Sequence, residues 1–252
     1  MNLAVNNQSL LLALGLVVIA LVIGWKEKLG IDRDMIIGVV RAVIQLFVVG
    51  YLLKSVFRVN NLWLTLILIL IIIFNAGYNA KQRSNGIPRA LPISIAAIFL
   101  STGVTLGVLM LAGAIRFIPA QMIPISGMIA SNSMVAIGLC YRNLNAQFKQ
   151  ERQAVLEKLA LGADLKDASR DILRDSIKTG MQPTIDSAKT VGIVSLPGMM
   201  SGLIFAGVDP VRAIKYQIMV TFMLMSATSI GSVLACYWAY KGFYNERKQL
   251  IN

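Results

Sequence analysis

The chain has 252 residues, of which 56% are hydrophobic and only 14% are charged, and it carries a net charge of +12. Soluble domains contain about 25% charged residues, so this composition excludes an ordinary soluble protein and indicates a membrane protein. The basic residues stand singly at the ends of apolar runs. This arrangement excludes a nucleic-acid-binding patch and makes the positive charge a signal of membrane topology.

Seven apolar runs are long enough to cross a bilayer core of about 30 Å, which takes about 20 helical residues. They cover residues 9–25, 35–53, 62–79, 91–114, 117–141, 190–206 and 214–240. Each run must satisfy its own backbone in lipid, so each is predicted to be a helix. The first eight residues carry no basic residue and no cleavage site follows, which predicts an uncleaved first span. We therefore predict an all-α membrane protein with about seven transmembrane helices in one domain, residues 1–252.

Lys and Arg residues are distributed unevenly between the two sides of the membrane. With the N-terminus outside, the inner segments hold 18 of them and the outer loops hold 4. Because cytoplasmic loops are enriched in basic residues, we predict an outer N-terminus and a cytoplasmic C-terminus. The one long polar segment, residues 142–189, is then cytoplasmic. It holds 9 basic and 7 acidic residues, and this near balance favours a protein partner over anionic lipid.

This polar segment is predicted to fold as an amphipathic helical hairpin. Residues 161–164 break the apolar pattern, with Asp164 placed as the N-cap of the second helix. Gly180 is predicted to end that helix, and Pro183 to open the next one. The apolar faces consist of Phe148, Val155 and Leu159 in the first helix and Leu165, Ala168 and Ile172 in the second.

The chain carries no energy-coupling motif of its own. It lacks the GxxxxGK[ST] pattern of a nucleotide-binding loop, and no Asp or Glu lies in the middle of a predicted span. Proton- and sodium-coupled carriers usually keep such a carboxylate at mid-membrane. The polar segment on an otherwise apolar bundle therefore suggests that a separate ATPase subunit docks from the inner side.

Four contiguous stretches carry a family resemblance. They are RAVIQLFVVGYLLK (41–54), MIPISGMIASNSMVAIGLCY (122–141), EKLALGA (157–163) and SAKTVGIVSLPGMMSGLIFAGVDPVRAIKYQIMVTF (187–222). Over nearly its whole length the chain resembles the FetB-like family of ABC permeases. The resemblance implies a bacterial inner-membrane permease in iron export, with relatives in plant aluminium tolerance. It also implies a separate ATPase that binds ATP and Mg, so that this chain is not itself an enzyme and holds no cofactor, and an assembly of two permeases with two ATPases.

The stretch LEKLALGA (156–163) also resembles a degenerate form of the EAA loop by which many ABC importers contact their ATPases, with its Glu one position out of register. We hypothesise that residues 157–172 form a coupling helix that fits a cleft on the ATPase. The alternative is a helical hairpin lying on the lipid surface. The candidate coupling residues are Glu157, Leu159, Gly162, Ala163, Asp164, Arg170, Ile172 and Arg174.

Helix-breaking residues inside the sixth run are candidates for the translocation pathway. Pro197 and Gly198 fall in its middle and predict a kink or an unwound point. Such a point would turn Met199, Met200 and Ser201 towards the pathway. The alternative is a kink that only shapes packing.

Polar residues inside other runs are further pathway candidates. Arg41 and Gln45 lie one turn apart near the inner end of the second run, where a charge costs about 3 kcal/mol. They should face a partner or a wet cavity, or else Arg41 reaches the cytoplasmic headgroups. Asn75 lies at the inner end of the third run, and Asn132 lies near the centre of the fifth.

Metal-ligating residue types are scarce, since the chain has no histidine. Cys140 and Cys236 lie near the ends of apolar runs without a CxxC partner, and we interpret them as buried free thiols rather than a disulfide or a metal site. Met219 and Met223 share a helical face, but core packing is favoured over a thioether site, which would suit Cu(I) better than iron. Iron would then be held weakly by carbonyls, amides and waters, or travel as a chelate. Rival functions are a non-ABC channel or carrier, and a membrane scaffold without transport.

Overall fold

A computed structural model describes residues 7–59 and 61–251, and it divides into two compact units at residue 60. The described residues form helices, turns and two isolated β-bridges, and they contain no β-strand. The all-α prediction is therefore confirmed. The uncleaved first span was predicted from residues 1–8, of which residues 1–6 lie outside the described residues, and it stays a prediction.

The first unit contains helices α1 (Asn7–Lys26) and α2 (Asp32–Val59). A Cβ added to Gly24 of α1 would lie 2.7 Å from a carboxylate oxygen of Asp32, so the start of α2 approaches α1 closely at this point. Of the two helices, α2 is long and apolar enough to cross a membrane, whereas α1 has a shorter apolar part, Leu12–Lys26.

The second unit is built on four long apolar helices. These are α3 (Leu62–Gln82), α4 (Ala90–Leu111), α5 (Pro119–Gln150) and α10 (Pro210–Ala239). Asn61 caps α3 by accepting a 2.8 Å hydrogen bond from the Trp63 N–H, and Asp209 caps α10 by accepting one from the Arg212 N–H. Prolines occupy the first turn of α5 and of α10, where their missing N–H has no cost.

Small and hydroxyl-bearing side chains let these four helices pack closely. Ala97, Ala130 and Ala227 are fully buried in the core. The hydroxyls of Ser94 and Tyr141 join α4 to α5 at 2.9 Å, which satisfies both groups inside the bundle. Small residues at helix contacts are typical of membrane bundles, because they allow close backbone approach.

The polar segment forms α6 (Arg152–Ala160), α7 (Leu165–Ala168) and α8 (Arg170–Thr190). The break at residues 161–164 lies where the sequence predicted it, but Gly180 does not end a helix and Pro183 does not begin one. Both lie inside α8. Gly180 is buried, and a Cβ there would overlap the Cys140 sulfur and lie 2.8 Å from the Ala136 carbonyl oxygen. The missing side chain therefore serves helix packing rather than helix termination.

The predicted sixth span is not a continuous helix. Residues 191–197 are non-helical, with Gly192 at a φ of 84°, and α9 covers only Gly198–Phe205. In the described part of the chain, five helices are long and apolar enough to span a membrane, whereas the sequence predicted seven. The difference arises from this interruption and from the shorter apolar part of α1.

Candidate functional site

The tip of the polar segment is the turn between α6 and α7. Gly162 takes a φ of 89°, which favours glycine and allows the sharp reversal. Asp164 stands at the N-cap position of α7 with extended backbone, but its side chain accepts no capping hydrogen bond, so the predicted capping role is only positional. Ala163 is half-buried and packs against the core.

Exposed charges cover the outer side of the same segment. Lys158 of α6 pairs with Asp171 of α8 at 2.8 Å, and Arg170 pairs with Asp167. The hydrogen bond and positive charge of Lys158 hold the pKa of the Asp171 carboxyl below its ordinary value. Arg174 is exposed one turn further along α8. These groups form a charged surface that a complementary protein can recognise.

The remaining predicted coupling residues divide between this surface and the interior. Glu157 is exposed and accepts a 2.9 Å hydrogen bond from the Gln153 amide. Leu159 is half-buried against the core, and Ile172 is buried. Both side chains therefore anchor the segment from within and leave its surface to other residues.

Leu161 is the surface residue that sequence reasoning passed over, because it was interpreted only as part of the break between two helices. Leu161 is 89% exposed at the tip. A large apolar side chain displayed on a polar surface marks a contact site for another protein when it lies within a suitable patch. The sequence feature that could have identified this exposed residue is a leucine directly before a turn glycine.

Contacts at the base tie the polar segment to the bundle. The Ser169 hydroxyl lies 2.6 Å from the Tyr244 hydroxyl, and the Asn143 amide donates a 3.2 Å hydrogen bond to the Ser176 hydroxyl. The Lys166 ammonium lies 5.5 Å from the centre of the Tyr237 ring. The start of α8 is thus attached both to α5 and to the chain around the end of α10.

The predicted polar pathway residues lie on three different helices. Arg41 and Gln45 are exposed on α2, in the first unit. Asn75 is exposed on α3 and accepts a 2.9 Å hydrogen bond from the Asn79 amide. Asn132 is half-buried, and its amide donates to the Met128 carbonyl within α5. The two asparagines thus have partners within their own helices.

The break in the sixth run differs from these polar residues, because side chains at the break line two cavities. Pro197 stands at the N-cap of α9 and Gly198 is its first residue. Met199 lines a cavity of about 270 Å³ together with Met128 and Tyr216. Met200 lines a second cavity of about 450 Å³, and Ser201 is half-buried beside it in sequence.

Gln217 of α10 is a second residue that sequence reasoning missed. It lines the cavity of about 450 Å³ with Met200 and Thr221, and its buried carboxamide oxygen has no hydrogen-bond partner among the described residues. A buried polar atom left without a partner is uncommon and indicates a water or ligand position. The sequence feature that could have identified Gln217 is a carboxamide side chain inside an apolar helix.

The methionines of α10 fill the core. Met223 is 2% exposed, and Met219 packs against the same core. In the described parts of the chain, no three His, Cys, Asp or Glu side chains form a group that would hold a metal ion. The cysteines are buried free thiols, as the sequence predicted.

Comparison with known proteins identifies the family. The chain matches the Uncharacterised protein family (UPF0014) over residues 7–244. It is 57% identical to the probable iron export permease protein FetB of Escherichia coli (strain K12), over 98% of this chain and 95% of the relative. It is also 34% identical to the UPF0014 membrane protein STAR2 of Oryza sativa subsp. japonica (94% of this chain, 84% of the relative) and 33% identical to the protein ALUMINUM SENSITIVE 3 of Arabidopsis thaliana (94% and 87%).

No solved structure matches the chain significantly. The similarity covers the five helices of spanning length as well as the polar segment between α5 and α10. The chain therefore belongs to the UPF0014 family of multi-pass membrane proteins.

Proposed function

We propose that this chain is the membrane-spanning permease subunit of an ABC transporter, driven by a separate ATPase subunit that binds ATP and Mg. The observation that carries the proposal is the charged surface of α6 to α8, held on a helix that packs inside the bundle. Ile172 and Leu173 are buried on the inner side of α8, and Arg170 and Arg174 are exposed on its outer side. Because α8 packs against α5 and α10, the motion of a subunit docked on this surface would be transmitted through α8 to those two helices.

The chemistry of the surface favours a protein partner. The exposed charges of both signs are largely paired within the segment, which suits a polar rim, and Leu161 supplies an apolar anchor at the tip. Interfaces commonly combine a buried apolar anchor with a surrounding polar rim. Because the sequence has no nucleotide-binding loop, the proposal assigns ATP hydrolysis to the partner.

The substrate is assigned from the relative that is named a probable iron export permease. We infer that this chain exports iron or another metal species, with the interruption at residues 191–197 on its route. Non-helical backbone at membrane depth is tolerated where it lines a wet cavity or is buried in protein. The cavity lined by Met200, Gln217 and Thr221 lies at this interruption and supports the assignment.

The C-terminal turns of α8, which lie beyond Arg170 and Arg174, support a permease homodimer. Gly180 packs against Ala136 and Cys140, inside the apolar part of α5. Nine residues further along α8, about 14 Å by helical rise, Lys189 is exposed and lies 3.7 Å from Asp186. Charged groups in contact with lipid are costly. A second copy facing α8 would enclose these groups with protein and water and form the pathway between the two permeases.

Co-purification tests the docking surface. The chain is expressed together with a candidate ABC ATPase, and the ATPase recovered with a tagged permease is quantified. The variants Arg170→Glu and Arg174→Glu should reduce the recovered ATPase by about tenfold when combined. The control Arg212→Glu changes an exposed arginine in the first turn of α10 and should leave recovery unchanged. Full recovery with the double variant would contradict docking on this surface.

Transport is measured separately in inverted vesicles that contain both subunits, with one divalent metal at a time. ATP-dependent uptake of Fe²⁺ is expected, and the mass of the purified complex should correspond to two copies of each chain. If the permease alone moves a metal uphill without a nucleotide-hydrolysing partner, the chain is a carrier of another class and the proposal is wrong.

A further inference from the structure

Two thiols from distant parts of the sequence lie side by side in the bundle. Cys140 of α5 and Cys236 of α10 are each fully buried, and the Cys140 thiol lies within hydrogen-bonding reach of the Cys236 thiol. They are the only cysteines of the chain. The sequence alone treated them as unrelated, because neither has a second cysteine nearby along the chain.

A third group adjoins the pair. Ser232 lies one turn before Cys236 on α10, is fully buried, and has its hydroxyl beside the Cys140 sulfur. Apart from that sulfur, its oxygen has no hydrogen-bond partner among the described residues. Thr228, one turn earlier on the same helix, instead donates a 2.8 Å hydrogen bond to the Leu224 carbonyl oxygen. A thiol is a weak hydrogen-bonding group, so this buried hydroxyl oxygen keeps the capacity to bind a further ligand.

The backbone of α8 closes the site from the third side. A Cβ on Gly180 would lie 3.0 Å from the Ser232 hydroxyl oxygen and would overlap the Cys140 sulfur. The Ala136 carbonyl oxygen borders the same point, 2.8 Å from that Cβ position. Two thiols, one hydroxyl and one carbonyl oxygen therefore converge between α5, α8 and α10.

We propose that Cys140, Cys236 and Ser232 bind a divalent thiophilic transition-metal cation, of the Fe²⁺ to Zn²⁺ class, inside the bundle. Thiolates are the protein ligands that such cations prefer, and a hydroxyl or carbonyl oxygen completes the coordination. Each thiol releases its proton as its metal–sulfur bond forms, so two bonds to sulfur replace two S–H bonds.

Charge selects the divalent class over a monovalent cation. A divalent cation with two thiolates is electrically neutral, and the serine hydroxyl adds no charge. A neutral centre avoids the large cost of burying net charge in a low-dielectric interior. Cu(I) with two thiolates would leave one net negative charge, and the neighbours named here supply no cation to balance it.

Cobalt titration of the reduced, purified full chain in detergent tests the site. Co²⁺ serves as the probe because its bonds to thiolate absorb in the near ultraviolet by charge transfer. One Co²⁺ per chain should bind with this absorption, and Zn²⁺ should displace it. Cys140→Ser and Cys236→Ser should each lose about half of the absorption, and the double variant should lose all of it.

Serine variants separate a ligand from a neighbour. Ser232→Ala should weaken Co²⁺ binding about tenfold, because it removes the oxygen ligand, whereas Ser229→Ala on the same helix should leave binding unchanged. Unaltered Co²⁺ binding in the double cysteine variant would overturn the proposal. So would the absence of the charge-transfer absorption from the unsubstituted chain.

A measurement on the unsubstituted chain tests the site even if the variants fail to fold. Zn²⁺ should slow the alkylation of both thiols during partial unfolding by at least about tenfold, because metal-bound sulfur is protected. Alkylation at the same rate with and without Zn²⁺ would also overturn the proposal. Neither measurement involves the ATPase, so failure here leaves the proposed transport function standing, and failure of transport leaves this site standing.

Discussion

The hydroxyls of Ser169 and Tyr244 lie 2.6 Å apart in a buried contact that joins the start of α8 to the segment after α10. The Tyr244 ring meets the edge of Phe148, whose own ring stacks on Phe243 with centroids 4.2 Å apart. Burial raises the pKa of the Tyr244 hydroxyl, which keeps it protonated and able to donate to Ser169. The contact holds the polar segment against the chain that follows α10.

Removing the Tyr244 hydroxyl tests this attachment. Tyr244→Phe leaves the fully buried Ser169 hydroxyl without its partner, so the free energy of unfolding should fall by about 1–3 kcal/mol. Denaturant unfolding in detergent, followed by circular dichroism, measures the change. The double variant Ser169→Ala/Tyr244→Phe should lie closer to the unsubstituted chain, because both partners are then gone. Equal stability of the single variant and the unsubstituted chain would contradict the contact.

A methyl group at Gly180 tests the close packing of α8. Gly180→Ala places a Cβ against the Cys140 sulfur and the Ala136 carbonyl oxygen, so a helix must shift, at a cost of about 1–3 kcal/mol of stability. The matched control is Gly127→Ala in α5, where no atom lies within 4 Å of the new Cβ. The control should be neutral or stabilise by up to about 1 kcal/mol, through helix propensity. If both variants unfold at the same denaturant concentration, α8 does not pack as described.

The ion pair of Lys158 and Asp171 should make the stability of the folded chain depend on pH. Because Lys158 holds the pKa of Asp171 below its ordinary value, the pair contributes stability above the unfolded-state pKa. That contribution is lost as the pH falls through the lower, folded-state pKa. Lys158→Met should return the Asp171 pKa towards its ordinary value, as read by carbon NMR of labelled aspartate. Lys178→Met, which removes a partner of Asp175, should leave the Asp171 pKa unchanged.

The membrane orientation remains a prediction and is tested by labelling. In a Cys140→Ser/Cys236→Ser background, one cysteine is introduced at exposed Leu161 in the polar segment or at exposed Ala114 between α4 and α5. An impermeant maleimide applied to intact cells should label Ala114→Cys strongly and Leu161→Cys at least about tenfold less. Permeabilised cells should label both. Labelling of Leu161→Cys in intact cells would put the polar segment outside and would also exclude docking of a cytoplasmic ATPase.

Sequence reasoning located most of the long helices because lipid imposes a local rule. An apolar run must satisfy its own backbone in a membrane, so the run 62–79 became α3 (Leu62–Gln82) and the run 214–240 became α10 (Pro210–Ala239). The polar segment was also visible as a shift in composition. Its break fell at residues 161–164 because a turn needs Gly162 in a conformation that other residues rarely adopt.

The rule that an apolar run forms a helix in lipid does not locate those parts of the candidate site that depend on contacts between distant residues. Pro197 and Gly198 predicted a kink or an unwound point in the run 190–206, but not that residues 191–197 would all be non-helical or that a cavity would lie beside them. Gln217 was missed because its meaning comes from the cavity it lines. Ile172 was included among the candidate coupling residues, although α8 buries it.

By itself the sequence determined that this protein lives in a membrane, that it is helical, and that its charges gather on one polar segment, because composition and run length act residue by residue. Only the tertiary structure decided that Gly180 continues a helix and brings α8 onto Cys140, and that Cys236 from a distant helix joins the same point. A glycine permits either a helix end or a close contact, and the neighbour that packs against it selects between them.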